Sequence, residues 1–339
     1  MKRKLIINRN IILTEKSPTF IIAEIGINHS GSYNKCKKMI REFSKSGANA
    51  VKLQTINIDE SYAKNTLSYR EFKDKDFSSS QLNKLRLYAE KFGLTFLSTP
   101  GDFSSYQKLK KSGVKIFKIS SGLFTNLPLI NTILKDNFPL IISTGMASKR
   151  EIDDLYNKLI KKTKNFSILK CTSLYPNKDI DVNLNNLDTF LKSYNVLIGY
   201  SDHTLDEISS IGAVVKGAKI IEKHVTLNKK EKGGDHKISL EPSEFKIFVN
   251  KIRRMELQLG RKEILPTMQE IKKRTNIRRF IVAKTNLNKN EKVTYQNILF
   301  KRLKNYKNGL SPNNLDLILG RSLKNSISKN KLITKKDIL

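Results

Sequence analysis

The sequence predicts an α/β fold, a (β/α)8 TIM barrel followed by a small β-rich unit, and three observations carry that prediction. Apolar, β-rich runs alternate with helical patterns from residue 20 to residue 259. The eight strand-then-helix units fill about 240 residues, the number and size of a (β/α)8 barrel. No Gly-x-Gly-x-x-Gly fingerprint supports the competing architecture, a doubly wound open sheet.

The strand candidates are residues 20–25, 50–54, 94–98, 115–119, 139–143, 166–171, 196–201 and 219–224. A helix begins at Tyr33 and stops at Gly47, and another runs from Gln81 to a stop at Gly93. A third begins near Asn126, with Pro128 in its first turn, where a missing N–H costs nothing. Leu205, Ile208, Ile211 and Val215 recur at helical spacing and Gly217 ends the pattern, so 196–224 reads as strand, helix, parallel strand. After Gly260 the pattern changes. Residues 261–279 form a charged connector containing Pro266, and from Phe280 the chain becomes β-rich, with short strands or turns at 280–283, 297–300 and 318–321. The predicted organisation is therefore a barrel with a short N-terminal extension over 1–260, a linker over 261–279, and a unit over 280–339. About sixty residues are marginal for independent stability, so the last unit leans on the barrel or on a second subunit.

The net charge of +33 would point to nucleic acid or an anionic membrane if it were concentrated. Pairs such as Lys161-Lys162, Lys229-Lys230 and Lys335-Lys336 are instead scattered along the chain without interleaved aromatics. We read them as a lysine-rich solvated surface that attracts anionic substrates, and expect neither a nucleic-acid nor a membrane partner. Two cysteines, Cys36 and Cys171, make no disulfide framework, and the basic-then-apolar start is broken by Asn8-Arg9-Asn10 before a signal-peptide core forms. A cytoplasmic location is expected.

Barrel chemistry is built at the C-terminal strand ends. The first strand brings Glu24 there, and the second brings Lys52 and Gln54, which share a face because strand side chains alternate. Thr99, then Lys118 and Ser121, then Ser143, then Ser173 and Tyr175 follow, and the last two strands close with Ser201-Asp202-His203 and Glu222-Lys223-His224. Two of the chain's four histidines thus emerge at matching ends of neighbouring strands, a plausible divalent-metal pair. Lys52, Lys118 and the hydroxyls of Thr99, Ser121, Ser143, Ser173 and Ser201 suit a small ligand bearing phosphate and carboxylate. Glu24 or Glu222 serves as a base or orients a metal-bound water, or else forms a buried ion pair with a neighbouring lysine.

These segments, with Ala23-Glu24-Ile25-Gly26-Ile27-Asn28-His29, Val51-Lys52-Leu53-Gln54, Ser143-Thr144-Gly145-Met146 and Gly199-Tyr200-Ser201-Asp202-His203-Thr204, resemble the sialic acid synthase family in order and over nearly the whole chain. The last sixty residues resemble that family's antifreeze-like domain, as a substrate-capping module. The resemblance implies condensation of phosphoenolpyruvate with an N-acetylmannosamine-type sugar to a nine-carbon α-keto acid and phosphate. It implies His203 and His224 as metal ligands, with manganese preferred and magnesium or cobalt as substitutes, and Glu24 as acid/base residue. Lys52, Thr99, Lys118, Ser121, Ser143, Ser173 and Ser201 match the phosphoenolpyruvate cradle. Gln54, Tyr175 and Asp235 match sugar contacts. Arg302 matches an arginine presented across a domain-swapped homodimer.

Two departures bear on the sugar. Leu123 stands where makers of N-acetylneuraminate commonly carry an acidic residue, and Ser173 where they carry asparagine. Replacing a carboxylate by leucine leaves sugar hydroxyls unpaired, at roughly 1 to 3 kcal/mol for a buried group. A more deoxygenated, 2,4-diacetamido-2,4,6-trideoxyhexose substrate and a legionaminic-type product are the expectation. The rival within enzymes is a Schiff-base aldolase using Lys170 or Lys118. The rival outside enzymes is a basic nucleic-acid-binding protein, argued from charge alone.

Overall fold

The computed structural model describes residues 3–304 and 309–339; Met1 and Lys2, which open the basic start, lie outside the described residues. A short hairpin, β1 (Lys4–Ile6) and β2 (Ile12–Thr14), precedes the barrel strands β3 (Phe20–Gly26), β4 (Ala50–Thr55), β5 (Thr95–Pro100), β6 (Phe117–Ile119), β7 (Leu140–Ser143), β8 (Phe166–Cys171), β9 (Leu197–Asp202) and β10 (Ile220–His224). These eight run parallel and close, β10 pairing with both β9 and β3.

Alternation along the strands builds two apolar layers with different jobs. Outward-facing Ile21, Ala23, Val51, Phe96, Ile142 and Ile198 pack under the surrounding helices. Inward-facing Ile22, Leu97, Ile141, Leu169, Leu197 and Ile220 fill the lower barrel, and the hairpin's Leu5 and Leu13, with Ile7, close it from beneath. The barrel therefore has a dry floor, and the N-terminal extension is its plug.

The predicted helix signals operate as their chemistry requires. Ser32 caps Tyr33–Lys45 by accepting from Lys35 N, and Asn126 caps Leu127–Lys135 by accepting from Leu129 N. The helix between the two histidine strands is shorter than its pattern, Ile208–Val215, and Leu205 lies before it. Its buried positions are Ser209, Ser210, Ala213 and Val214, while Leu205, Ile208 and Val215 face outward, so the small residues rather than the apolar stripe set the packing against the barrel.

One buried histidine near the mouth links folding to pH. His29 lies on Phe77 with ring centroids 4.6 Å apart, and its Nδ1 accepts from Gly31 N at 3.1 Å. Burial, helped by Lys75 and Lys35, lowers its pKa from 6.5 to about 3. Between those values the unfolded chain binds the extra proton, so stability falls as pH drops. The loss from this residue reaches roughly 2 kcal/mol by pH 5. Urea unfolding at pH 7 and pH 5 should show a change in stability less favourable by that amount in the wild type than in His29→Asn; an identical pH dependence in the two proteins would contradict the assignment.

The chain divides into two compact units, Met1–Gly260 and Arg261–Leu339. Within the second, the predicted connector contains a capped helix, Met268–Ile277, none of whose residues is buried, which explains its weak apolar pattern. The antiparallel pair β11 (Arg279–Ala283) and β12 (Ile298–Arg302) then covers a small core including Ile281, Leu287, Val293, Ile318 and Leu323. Residues 318–320 form a turn directly after a short 3-10 segment, Pro312–Leu317.

Candidate active site

The step from floor to site is a step of two residues along each strand. Glu24 stands above Ile22, Lys52 above Ala50, Thr99 above Leu97, Lys118 above Ile116, Ser143 above Ile141, Cys171 above Leu169, and Glu222 above Ile220. All of these upper residues are buried. Intervening positions face the helices. Asp202 and Lys223, both fully buried, form an ion pair at 3.1 Å there, and Lys223 also donates to the Asp206 carbonyl at 2.9 Å, tying down the turn after β9.

Four charges meet inside the mouth. Lys52 Nζ lies 2.9 Å from Glu24 Oε2 and 3.7 Å from Glu222 Oε2, and Lys118 Nζ lies 3.6 Å from Glu222 Oε1. Gln54 Nε2 donates to Glu24 Oε1 at 3.0 Å, and Ser201 Oγ donates to Glu222 Oε1 at 2.9 Å. Thr99 Oγ1 accepts from Lys52 at 3.4 Å, and Ser143 Oγ accepts from Lys118 at 2.6 Å. The buried ion pair foreseen for Glu24 and Glu222 is thus present. The two carboxyls are pushed apart. Burial raises Glu24 to about 7, with Lys52 opposing and Glu222 adding to the rise. Glu222 is held down to about 2 despite burial, by Lys118, Lys52 and the Ser201 hydrogen bond. Burial lowers Lys118, while Glu222 and Glu24 outweigh burial and raise Lys52. One carboxyl poised near neutrality beside one fixed carboxylate is the arrangement for proton transfer next to bound charge.

Beside Lys118 is a recess that only glycine permits. Gly145 N donates to Ser121 Oγ at 3.0 Å. A Cβ on Gly145 would sit 2.1 Å from Ser173 Oγ and 2.7 Å from Ser121 Oγ. Ser173 Oγ is buried without a partner, as are Glu24 Oε2 and Glu222 Oε2 apart from their ion pairs, and His224 Nδ1. Buried polar atoms are nearly always hydrogen-bonded, so their convergence at one set of strand ends marks a place built for a polar ligand.

The imidazoles of His203 and His224 have centroids 5.4 Å apart. His203 Nδ1 donates to the Thr172 carbonyl at 2.8 Å, which presents Nε2 to the site. Burial favours the neutral ring of His203, but Cys171, 3.9 Å from Nδ1, the Thr172 carbonyl and Glu222 raise its pKa on balance. Burial and the charge of His203 hold His224 well below the usual range, so it is a neutral imidazole. Asp235 Oδ2 lies 3.4 Å from His224 Nδ1, and Tyr175 stacks on His203 at 4.0 Å between centroids. The pair fits a divalent cation by its chemistry: two imidazoles, one beside the Asp235 carboxylate and one oriented from behind. Among the described residues no group of three His, Cys, Asp or Glu could hold an ion alone, so further ligands would come from water or substrate.

Of the fourteen residues given roles by the resemblance, all but Arg302 fall in the barrel unit, twelve of them within four residues of a strand end and Asp235 in the loop after β10. Arg302 ends β12, exposed and directly opposite Arg279. Leu123 closes the 3-10 turn Ser121–Leu123 and is half-buried against the outer core. Lys170 donates to the Val182 carbonyl and, at 2.9 Å, to Thr172 Oγ1, and lies 5.4 Å from the Tyr200 ring, on the outward side of β8. Sequence reading missed Cys171 as a neighbour of His203 and Asn28 as the brace of the 225–239 segment. Alternation from Leu169 would have found the first; the second lies inside the quoted 23–29 motif, but no spacing ties it to the 225–239 segment.

Residues 39–264 match the NeuB family, and residues 278–339 match the SAF domain. The N,N'-diacetyllegionaminic acid synthase of Campylobacter jejuni is 37% identical over 93% of this chain and 98% of its own. Human N-acetylneuraminate-9-phosphate synthase is 36% identical over 74% of each chain. The crystal structure of N-acetylneuraminic acid synthetase from Leptospira borgpetersenii, in complex with citrate, matches with a TM-score of 0.76 and 34% identity, covering 80% of this chain and 95% of that one.

Proposed function

The chain belongs to the NeuB family, and from that premise we propose that it condenses phosphoenolpyruvate with an N-acetylmannosamine-type hexose, giving a nine-carbon α-keto acid and phosphate. One observation carries the reading: the buried Lys52–Glu24–Glu222–Lys118 cluster and the Gly145 recess stand at the same strand ends as the His203–His224 pair. Lys52, Lys118 and the hydroxyls of Thr99, Ser121, Ser143, Ser173 and Ser201 bind the phosphate and carboxylate of phosphoenolpyruvate, re-pairing the lysines with substrate anions. Gln54, Tyr175 and Asp235 orient the sugar beside His224.

A divalent ion held by His203 and His224, manganese in our reading, supplies Lewis-acid polarisation of the sugar aldehyde when bound. The enolpyruvate C3 attacks the aldehyde carbon, forming the new C–C bond as the former double-bond electrons leave C2. Water adds to C2, and phosphate departs by C–O cleavage from the resulting tetrahedral centre. Glu24, with its pKa near 7 and its contact to Gln54, handles the protons of the added water and the sugar oxygen. Glu222 stays ionised and holds the two lysines in place.

The engagement of Lys170 with Val182 and Thr172 argues against its use as a Schiff-base nucleophile. For the sugar, the similarity over 93% of this chain to a diacetyllegionaminic acid synthase favours a 2,4-diacetamido-2,4,6-trideoxyhexose, while Leu123, which packs on the outer core, adds no support of its own. Mass spectrometry of products from phosphoenolpyruvate and a panel of amino sugars tests both points. Equal turnover of N-acetylmannosamine would remove the preference, and absence of any condensation product would overturn the reaction.

We further propose that residues 280–339 cap the site of a partner in a homodimer, with Arg302 touching the sugar. Exposed guanidinium groups at Arg302 and Arg279, opposite each other on one face, support an acceptor-rich ligand there. Arg302→Ala should raise the sugar KM roughly ten-fold and leave the KM for phosphoenolpyruvate unchanged. Mixing Arg302→Ala with His224→Ala subunits should restore activity if the cap is exchanged; no restoration would refute exchange.

A further inference from the structure

The polar stretch after β4 forms two short helices, Ile58–Ser61 and Leu67–Phe72. It is fastened at one side by Asp102, whose Oδ2 accepts from Asn57 N and from Ser61 Oγ, both at 2.8 Å. At its other side Glu71 Oε2 accepts from Gly234 N at 2.9 Å. Gly234 has φ +57°, and a Cβ there would lie 2.8 Å from Asn28 Oδ1. The turn is thus pressed between Glu71 and Asn28.

From that turn the hydrogen bonds continue into the site. Asn28 Oδ1 accepts from Asp235 N at 2.9 Å, while its Nδ2 donates to the Val225 carbonyl and to Ser239 Oγ, both at 2.9 Å. Ser239 Oγ in turn donates to the Asp235 carbonyl at 2.7 Å. Asn28 and Ser239 are fully buried, whereas the Glu71 side chain is 47% exposed. Glu71 is therefore the outer of three holds on the backbone that sets Asp235 at 3.4 Å from His224.

We propose that Glu71 is a positioning residue for the sugar side of the site, acting through the 233–235 turn on Asp235, so that the 58–72 insert tunes sugar binding from outside the barrel. This rests on the synthase reading of Asp235 and His224. Glu71 touches neither substrate nor reacting atoms; it fixes the backbone from which Asp235 projects. Loss of its acceptor frees the Gly234 amide and loosens Asp235, while the buried Asn28 and Ser239 contacts keep the turn folded.

Hydrogen exchange of the peptide covering 226–240 and steady-state kinetics test this together. Glu71→Ala should speed exchange there roughly ten-fold and raise the sugar KM roughly five-fold, with kcat and the KM for phosphoenolpyruvate unchanged. Glu71→Gln, which keeps an acceptor oxygen, should restore both. Unchanged exchange in Glu71→Ala overturns the proposal whatever the activity. Faster exchange with an unmoved sugar KM overturns the positioning role and leaves a brace. If wild-type protein makes no product from any amino sugar, the synthase reading fails, and the exchange result still decides whether Glu71 holds the turn.

Discussion

His203→Ala and His224→Ala are each expected to lower kcat by a factor of about 10³ or more while the barrel stays folded. The two imidazoles stand 5.4 Å apart, above the apolar floor rather than within it. Their strand ends are secured separately, by the outward-facing Asp202–Lys223 pair and its bond to the Asp206 carbonyl. Removing a ring should therefore remove a proposed metal ligand without removing the support. Circular dichroism melting should shift by only a few degrees, and metal analysis should show reduced content in both variants. Chelation of the wild type should abolish turnover and manganese should restore it. Full activity in either variant would sink the assignment of these histidines.

Gly145→Ala is the second large expected effect. Its φ is ordinary, so alanine introduces no backbone strain, and the change is confined to a methyl group in the recess. That methyl would lie 2.1 Å from Ser173 Oγ and 2.7 Å from Ser121 Oγ, displacing both hydroxyls. Two charge-assisted hydrogen bonds to an anion are worth about 3 kcal/mol together, which corresponds to a roughly hundred-fold rise in the KM for phosphoenolpyruvate. The sugar KM should move far less, since Gln54, Tyr175 and Asp235 are untouched. A normal KM for phosphoenolpyruvate in Gly145→Ala would show that the recess does not hold the substrate anion.

The legibility of this chain follows a physical divide. Strand period fixes which side chains share a face, and parallel strand order fixes which end carries the chemistry, so Glu24, Lys52, Thr99, Lys118, Ser143, His203 and His224 were readable from spacing and from the motif resemblance. The helix stops at Gly47 and Gly93 were equally local, because both glycines take positive φ, +90° and +74°. Linear pattern failed where packing rather than composition decides. The apolar residues Leu205, Ile208 and Val215 suggested a buried stripe, yet small residues face the barrel; the helix at Met268–Ile277 buries nothing and so left no stripe to read.

By itself, the sequence determined the barrel, its eight strands, the order of chemical groups around its mouth, and the change of character after Gly260. The tertiary structure decided which of those groups answer one another. It joined Lys52 to both Glu24 and Glu222, placed Cys171 beside His203, and held the backbone of Gly234 by Glu71 and that of Asp235 by Asn28. Proton affinities follow from those distances and from burial, neither of which is a property of a residue's type or its neighbours in the chain. That is why two glutamates of the same barrel interior shift in opposite directions, Glu24 raised by burial and Glu222 held down, despite burial, by Lys118 and Lys52.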